Sequence, residues 1–414
     1  MGDRNALNKN AITSHNFIIC TGAKTHVPQI VGLKKVLPGD PGWIEDEGTP
    51  YHTYDTIFDE LGNLPARLAI VGAGAGGCEL AQCLARLGTD VTIVGENFLP
   101  RVTADVRNLI FKKFKEEGIT YLKGKVEGAR PQTWGGGKGI GVALVNGKEV
   151  CVDAVLIAAG RKPALKTLRL DKAKVKFTDE GIIINKYGQT STKHIYAAGD
   201  CVAGEAKAAS KSDEAGKADE ASEDDEIVEE HDPGLQLTHY AKLQARNAIR
   251  NMLFTMPKEI PDIIPEVIFT DPEIARAGLT EEAAKEEHEA EELMVLYRKY
   301  DTMDRPILEG TTNGFIKLVC LKTGKILGCS LCGPGAGEML AELVFAMTHD
   351  MPLAKLAESV HAYPVLGFAL MQMAEDVALT ALAGSPPPCM CCMPPLQGKK
   401  NEEEIGKFER NMHV

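Results

Sequence analysis

Apolar residues along this chain recur in two rhythms. Short unbroken apolar runs bounded by glycine or proline read as strands buried on both faces, and runs whose apolar positions return every three or four residues read as helices packed along one side. Leu68 to Val71 is a run of the first kind, and Glu79 to Leu87 is one of the second, with Gly72 to Cys78 between them. Asp90 to Val94 is the next strand. A helix is predicted over Ala104 to Glu117, with Val106, Leu109, Ile110 and Phe114 on one face. Upstream, residues 17–33 read as a strand running into a Gly- and Pro-punctuated loop, and Tyr51 to Leu64 as a segment carrying a short helix. Downstream, Lys125 to Val152 reads as a β-meander turning at Gly135 to Gly137, and Ala154 to Gly160 returns the chain to the sheet. Gly181 to Asn185 and the segment ending at Asp200 are further strands, and a helix starts at Leu237. Strands at Gly314 to Val319 and Ile326 to Leu331 and a helix over Gly337 to His349 close the pattern.

At 414 residues two or three domains are expected. A hydrophobic content of 44% and a charged content of 25% are ordinary for a globular chain. The formal charge of −12 is concentrated: residues 205–232 hold twelve Asp or Glu against three Lys, which leaves −3 for the rest. No basic stripe is present, which argues against nucleic acid as a partner. No apolar run approaches the roughly 20 residues that span a bilayer, so no membrane association is expected, and a cytoplasmic or organelle-lumen location follows. The eleven cysteines show no disulfide framework. Cys20, Cys78, Cys83, Cys151 and Cys320 lie in apolar runs and are expected to be small buried residues. Cys329 and Cys332 have CxxC spacing, but on a strand they point to opposite faces.

The glycines at Gly72-x-Gly74-x-x-Gly77 carry the first chemistry. The first permits a tight turn, the second lets backbone approach a pyrophosphate, and the third lets helix pack on strand. The phosphates would sit on the unpaired N–H groups of the helix N-terminus. Glu96 follows Gly77 by 19 residues, where an acid can bond a ribose 2′-hydroxyl. A carboxylate there repels a 2′-phosphate and argues for NADH; Gly95 occupies the more usual acidic position, so NADPH stays open.

Beyond this unit, Cys20-Thr21-Gly22-Ala23, Ala158-Ala159-Gly160-Arg161-Lys162-Pro163 and Ala197-Ala198-Gly199-Asp200 follow in an order that resembles the pyridine nucleotide-disulfide oxidoreductases, in their mercuric reductase-like branch. The resemblance runs from about Phe17 to Leu379. It implies an α/β fold in which a Rossmann-like nicotinamide domain is inserted in an FAD domain and followed by an α+β dimerisation domain. The implied divisions are 1–50 for a partial FAD domain, 51–158 for the NAD(P)-binding domain, and 159–204 with 234–257 for the FAD domain continued. A dimerisation domain over 262–384 and a tail over 385–414 follow, and the acidic stretch 205–233 is expected to be a disordered insert. The resemblance further implies FAD contacts at Thr21, Gly22, Gly199 and Asp200, a closing segment at Gly160 and Arg161, NAD(P)H as second cofactor, and a homodimer.

Several departures bear on the chemistry. The family's first GxGxxG, its CxxxxC pair and the lysine that follows have no counterpart, so the FAD domain is expected to be truncated, with exposed strand edges and apolar faces. Glu79 matches the glutamate that pairs with that lysine; buried without it, its pKa is expected to rise. The His and Glu of the family's terminal proton relay are replaced around Tyr363, and His361 is a candidate substitute base. Tyr363 and the pair Cys391 and Cys392 match the mercuric reductase pattern, and thiolates suit soft metals. The resemblance implies a FAD- and NAD(P)H-dependent oxidoreductase that passes a hydride from NAD(P)H to flavin and on to a thiol, disulfide or soft metal. The alternative is a catalytically inactive, nicotinamide-binding, dimerising scaffold.

Overall fold

Leu68, Ala69 and Ile70 are fully buried because their strand, Arg67–Val71, sits inside a six-stranded sheet. A parallel neighbour on one side is Asp90–Gly95, in register from Arg67 opposite Asp90 to Val71 opposite Val94. The next strand, Thr120–Lys123, places Lys123 opposite Gly95. Ala154–Ile157, Thr49–Thr53 and Leu33–Lys35 continue the sheet on the other side. Burial on both faces is what parallel strands require, and it explains runs with no polar alternation. The computed structural model describes residues 12–35, 49–60, 62–134, 137–204 and 234–383.

The helices Ala75–Arg86 and Ala104–Glu116 connect the parallel strands. Phe98 anchors the second crossover, its ring meeting Phe111, Phe114 and Tyr121 edge-on at 5.7, 5.7 and 5.3 Å. The antiparallel meander consists of Val126–Trp134, Gly137–Leu144 and Glu149–Val152. Its expected turn at Gly135 lies outside the described residues. The segment from Tyr51 to Leu64 carries its expected short helix at Ile57–Glu60, and Tyr51 itself belongs to the strand Thr49–Thr53. The sheet claims Tyr51 because its ring is buried there.

The chain divides into two compact units. One takes its described residues from Met1–Gln29, Thr53–Phe58 and Ile157–Pro261, and the other from Ile30–His52, Asp59–Leu156 and Asp262–Val414. In the first unit, Phe17–Ile19 pairs in parallel with Ile195–Ala197, and Ala23–Thr25 pairs antiparallel with Arg161–Pro163. Leu170, Ile182, Ala197, Cys201 and Val202 form its core. The sheet of Phe17–Ile19 has only two strands among the described residues, and Phe17 and Ile18 are 40% and 36% exposed. Cys20, next in sequence, is exposed as well, against the expectation of burial, because the strand before it is covered on one side only.

In the second unit the six-stranded sheet is accompanied by a five-stranded antiparallel sheet in the order Glu266–Ile268, Ile274–Gly278, Ile326–Cys332, Phe315–Leu321, Leu293–Lys299. Helices Ala336–Thr348 and Phe368–Ala383 contribute Leu340, Leu343, Leu370 and Met373 to the core that this sheet shares with Ile316, Leu318 and Leu331. Cys320, Cys329 and Cys332 are buried and free, and desolvation pushes each thiol up to about 12. No helix among the described residues is long and apolar enough to cross a membrane.

Candidate functional site

The glycine turn is built as its spacing predicts. Gly72 has φ +120°, a conformation that favours glycine, and its N–H donates to Val94 O at 2.8 Å, so the turn is tied to the neighbouring strand. Gly74 caps the helix Ala75–Arg86 without a side-chain hydrogen bond, and a Cβ built on it would meet nothing within 4 Å. The helix thus starts beside open space at Gly74 with no side chain capping it, an arrangement that suits a pyrophosphate. Gly77 is buried in that turn, where the helix packs down on the strand.

Gly95 ends the adjacent strand, and a Cβ there would lie 2.9 Å from Ala73 Cβ and 3.0 Å from Ala73 N. A side chain is thus closed out of the usual acidic position. Tyr121 Oη and the Gly124 N–H both donate to Gly95 O, at 2.8 and 3.1 Å, and the Leu99 N–H donates to Ala73 O at 2.8 Å. Glu96, one residue on, is exposed and lies 3.4 Å from Lys125 Nζ.

Three polar side chains of the glycine-turn helix converge on one loop. Glu79 accepts the Phe269 N–H at 2.7 Å. Burial raises its carboxyl above the ordinary range, in the expected direction, and the Phe269 N–H offsets part of the rise. Gln82 grips the Asp271 backbone at both ends: its Nε2 donates to Asp271 O and its Oε1 accepts the Asp271 N–H, each at 2.7 Å. Arg86 reaches Asp271 Oδ2 and Glu117 Oε1, each at 2.7 Å. Burial of Glu117 is outweighed by hydrogen bonds from Arg86, Gln82 and Lys113, so its carboxyl is held low. Sequence reasoning noticed Glu79 alone. The available signal was the spacing of Glu79, Gln82 and Arg86, three and then four residues apart on one helix face. Cys83 is exposed, contrary to expectation, because Gln82 and Leu84 take the buried positions around it.

In the first unit, residues singled out from three separate segments come together. The Ala164 N–H donates to Gly22 O at 2.9 Å, and the His26 N–H to Gly160 O at 2.9 Å. Arg161 Nη2 donates to Ala23 O at 3.0 Å and lies 3.4 Å from Asp200 Oδ2. Gly22 and Gly160 have φ of +66° and +94°, and a Cβ on either would meet nothing within 4 Å. These two open glycines beside the Asp200 carboxylate fit a hydroxylated cofactor chain. Gln244, buried on the helix Thr238–Leu253, accepts the Gly199 N–H at 2.8 Å and fixes the backbone just before Asp200. Thr21 continues the same loop and is exposed, between exposed Cys20 and half-buried Gly22.

His361 and Tyr363 are both committed to partners. His361 Nδ1 lies 2.8 Å from Ser359 O, and Nε2 lies 2.9 and 3.1 Å from the Glu342 carboxylate. Burial lowers the imidazole pKa, but the Glu342 and Ser359 bonds outweigh it and the net direction is upward. Two acceptors on one ring suit the imidazolium, in keeping with the upward direction. Tyr363 is exposed, packs edge-on against Phe368 at 5.4 Å, and is held above the usual phenol range by the negative charge of Asp304 and a hydrogen bond to it. Cys391, Cys392, the tail and the acidic insert 205–233 lie outside the described residues. Among those described, no cluster of three or more His, Cys, Asp or Glu could hold a metal ion.

Comparison with known proteins finds matches along most of this chain. Residues 3–241 match the family described as pyridine nucleotide-disulphide oxidoreductase, and residues 264–374 match that family's dimerisation domain. A mercuric reductase of Bacillus cereus is 30% identical over 383 residues, covering 91% of this chain and 52% of that protein. A dihydrolipoyl dehydrogenase of Staphylococcus aureus is 30% identical over 320 residues, covering 76% of this chain and 61% of the other. The chain thus spans about half to three-fifths of the length of these relatives. Among solved structures, the HOCl-induced flavoprotein disulfide reductase RclA from Escherichia coli superposes with a TM-score of 0.68 at 24% identity, over 88% of this chain and 74% of that one. At that identity the likeness concerns fold.

Proposed function

For a chain that belongs to the pyridine nucleotide-disulphide oxidoreductase family, we propose a homodimeric oxidoreductase that draws reducing equivalents from NAD(P)H through FAD and delivers them to a thiol, disulfide or soft-metal acceptor. The observation that carries this reading is the open glycine turn: Gly74 leaves room for a pyrophosphate against an uncapped helix N-terminus. When bound, the two cofactors supply the hydride and electron chemistry, which no side chain provides. The chain's own residues hold and orient. Gly72, Gly74 and Gly77 shape the phosphate cradle, and Glu96 is placed for the adenosine ribose. Asp200 offers its carboxylate to the flavin chain beside Arg161, and Thr21, Gly22, Gly160 and Gly199 keep backbone clear of it. Glu79 fixes the Phe269 backbone and has a carboxyl whose raised pKa lets it keep a proton more readily than an exposed glutamate. Cys391 and Cys392 supply the soft ligands for a metal acceptor.

A second reading, a nicotinamide-binding and dimerising protein without turnover, draws support from His361. Both of its ring nitrogens are engaged within the chain, by Ser359 O and the Glu342 carboxylate, so neither meets a substrate without one of these bonds opening. The visible spectrum of the purified protein separates the two. A flavin band that bleaches on adding NADH or NADPH supports the oxidoreductase; a colourless protein that still binds either nucleotide supports the scaffold. Replacing Cys391 and Cys392 by Ala is expected to weaken Hg(II) binding in a thiol-competition titration, and unchanged binding removes these residues from the acceptor proposal.

A further inference from the structure

We infer that Glu96 and Lys125 form a two-sided selector at the adenosine ribose, through which the protein accepts both NADH and NADPH, with Lys125 as the residue that admits the 2′-phosphate. The inference rests on the nicotinamide reading of the glycine turn.

Three observations carry it. The usual position for a ribose-binding acid is closed, because any side chain at Gly95 would collide with Ala73. The acid is therefore displaced to Glu96, where the strand has ended and the side chain is 59% exposed. The parallel register then supplies a cation beside it. Lys123 lies opposite Gly95, and the Gly124 N–H donates to Gly95 O at 3.1 Å, which draws the two strand ends together. Gly124 has φ +155° and turns the chain, and the Val145 N–H donates to Lys125 O at 3.0 Å to hold the backbone there. Lys125 Nζ consequently lies 3.4 Å from Glu96 Oε1, with its side chain 67% exposed.

A carboxylate alone would accept the ribose 2′-hydroxyl and repel a 2′-phosphate. A lysine beside it changes the balance. An exposed pair of this kind is weakly held and screened by water, so a ligand can open it at little cost. A 2′-hydroxyl takes the Glu96 carboxylate, with Lys125 left in solvent. A 2′-phosphate brings about two negative charges, which take Lys125 as a charge-assisted donor while Glu96 swings outward. Discrimination is then shallow in both directions, and it is set by a pair that comes from two different strand ends.

Calorimetric titration of the full chain with NADH and with NADPH tests this without turnover. The two dissociation constants are expected to lie within about tenfold of each other. Lys125→Ala should weaken NADPH about tenfold and leave NADH within about threefold, and Glu96→Gln should weaken NADH while leaving NADPH unchanged or tighter. Raising salt should erode NADPH affinity in the wild type more than in Lys125→Ala. Both side chains are exposed, so neither variant puts folding at risk. An NADPH to NADH ratio unchanged by Lys125→Ala, or a wild type that excludes either nucleotide by more than about a hundredfold, overturns the selector and leaves the nicotinamide site standing. Binding of neither nucleotide overturns that site and the selector with it.

Discussion

Lys317 shows how much one side chain can hold. It is buried on the strand Phe315–Leu321, with its ammonium 2.7 Å from Glu281 and 3.3 Å from Asp105, and Glu281 is shared with Lys285 at 2.6 Å. Burial would lower the Lys317 pKa, but the carboxylates outweigh it, and Glu281 is held low by the same pairing. Lys317→Met leaves Glu281 buried without its inner partner and is expected to cost about 3–5 kcal/mol in urea unfolding. Because the Glu281 pKa is depressed on folding, its contribution is present above the ordinary carboxylate range. It is lost as pH falls through the folded value, so the urea midpoint should drop on acidification and drop less in Glu281→Gln. His361 behaves in the opposite sense. Its folded pKa is raised, so the Glu342 pair stabilises fully below about pH 6.5 and fades as pH rises through the folded value. Melting curves at pH 6 and pH 9 should differ less in Glu342→Gln than in the wild type, by roughly 0.5–1 kcal/mol for a partly exposed pair. Neither network was legible in the sequence. The partners stand far apart along the chain, and a lysine in an apolar run reads only as an interruption.

At the scale of elements, the helix Ala75–Arg86 is fixed along one side by glycines and along another by its grip on the Phe269 to Asp271 loop. Gln82→Ala removes two hydrogen bonds to buried or partly buried backbone and is expected to destabilise by about 2–3 kcal/mol, read as a fall in melting temperature. Gln82→Glu loses the donor and sets a buried carboxylate against Glu117 and the Asp271 carbonyl, and should destabilise at least as much as Gln82→Ala at neutral pH. The helix itself, its strands and its glycine turn were legible because local rules decide them: buried parallel strands are continuously apolar, and a tight turn demands glycine. The strand Thr49–Thr53 was not legible, because a five-residue strand leaves too short a pattern to stand out from its neighbours. The burial of Cys20 and Cys83 was misread for a related reason. Apolar neighbours in sequence do not say which face an element presents, and in each case the covered face was the other one.

At the scale of the molecule, the order of three short glycine-containing motifs resembles that of the family, and the structure brings all three to the same place, Arg161 lying between Ala23 and Asp200. With a dimerisation domain matched over residues 264–374, light scattering of the purified chain is expected to return twice the chain mass; a monomer at micromolar concentration would remove the homodimer. The grip of Gln82 and Glu79 has one more consequence at this scale. The amide protons of Phe269 and Asp271 are donated to side chains some 190 residues earlier in the chain, on the helix that begins at the phosphate cradle. Their exchange with deuterium is therefore a clock for that helix. These two protons should exchange more slowly when a dinucleotide settles at Gly74, so that occupancy can be followed from a loop outside the glycine turn.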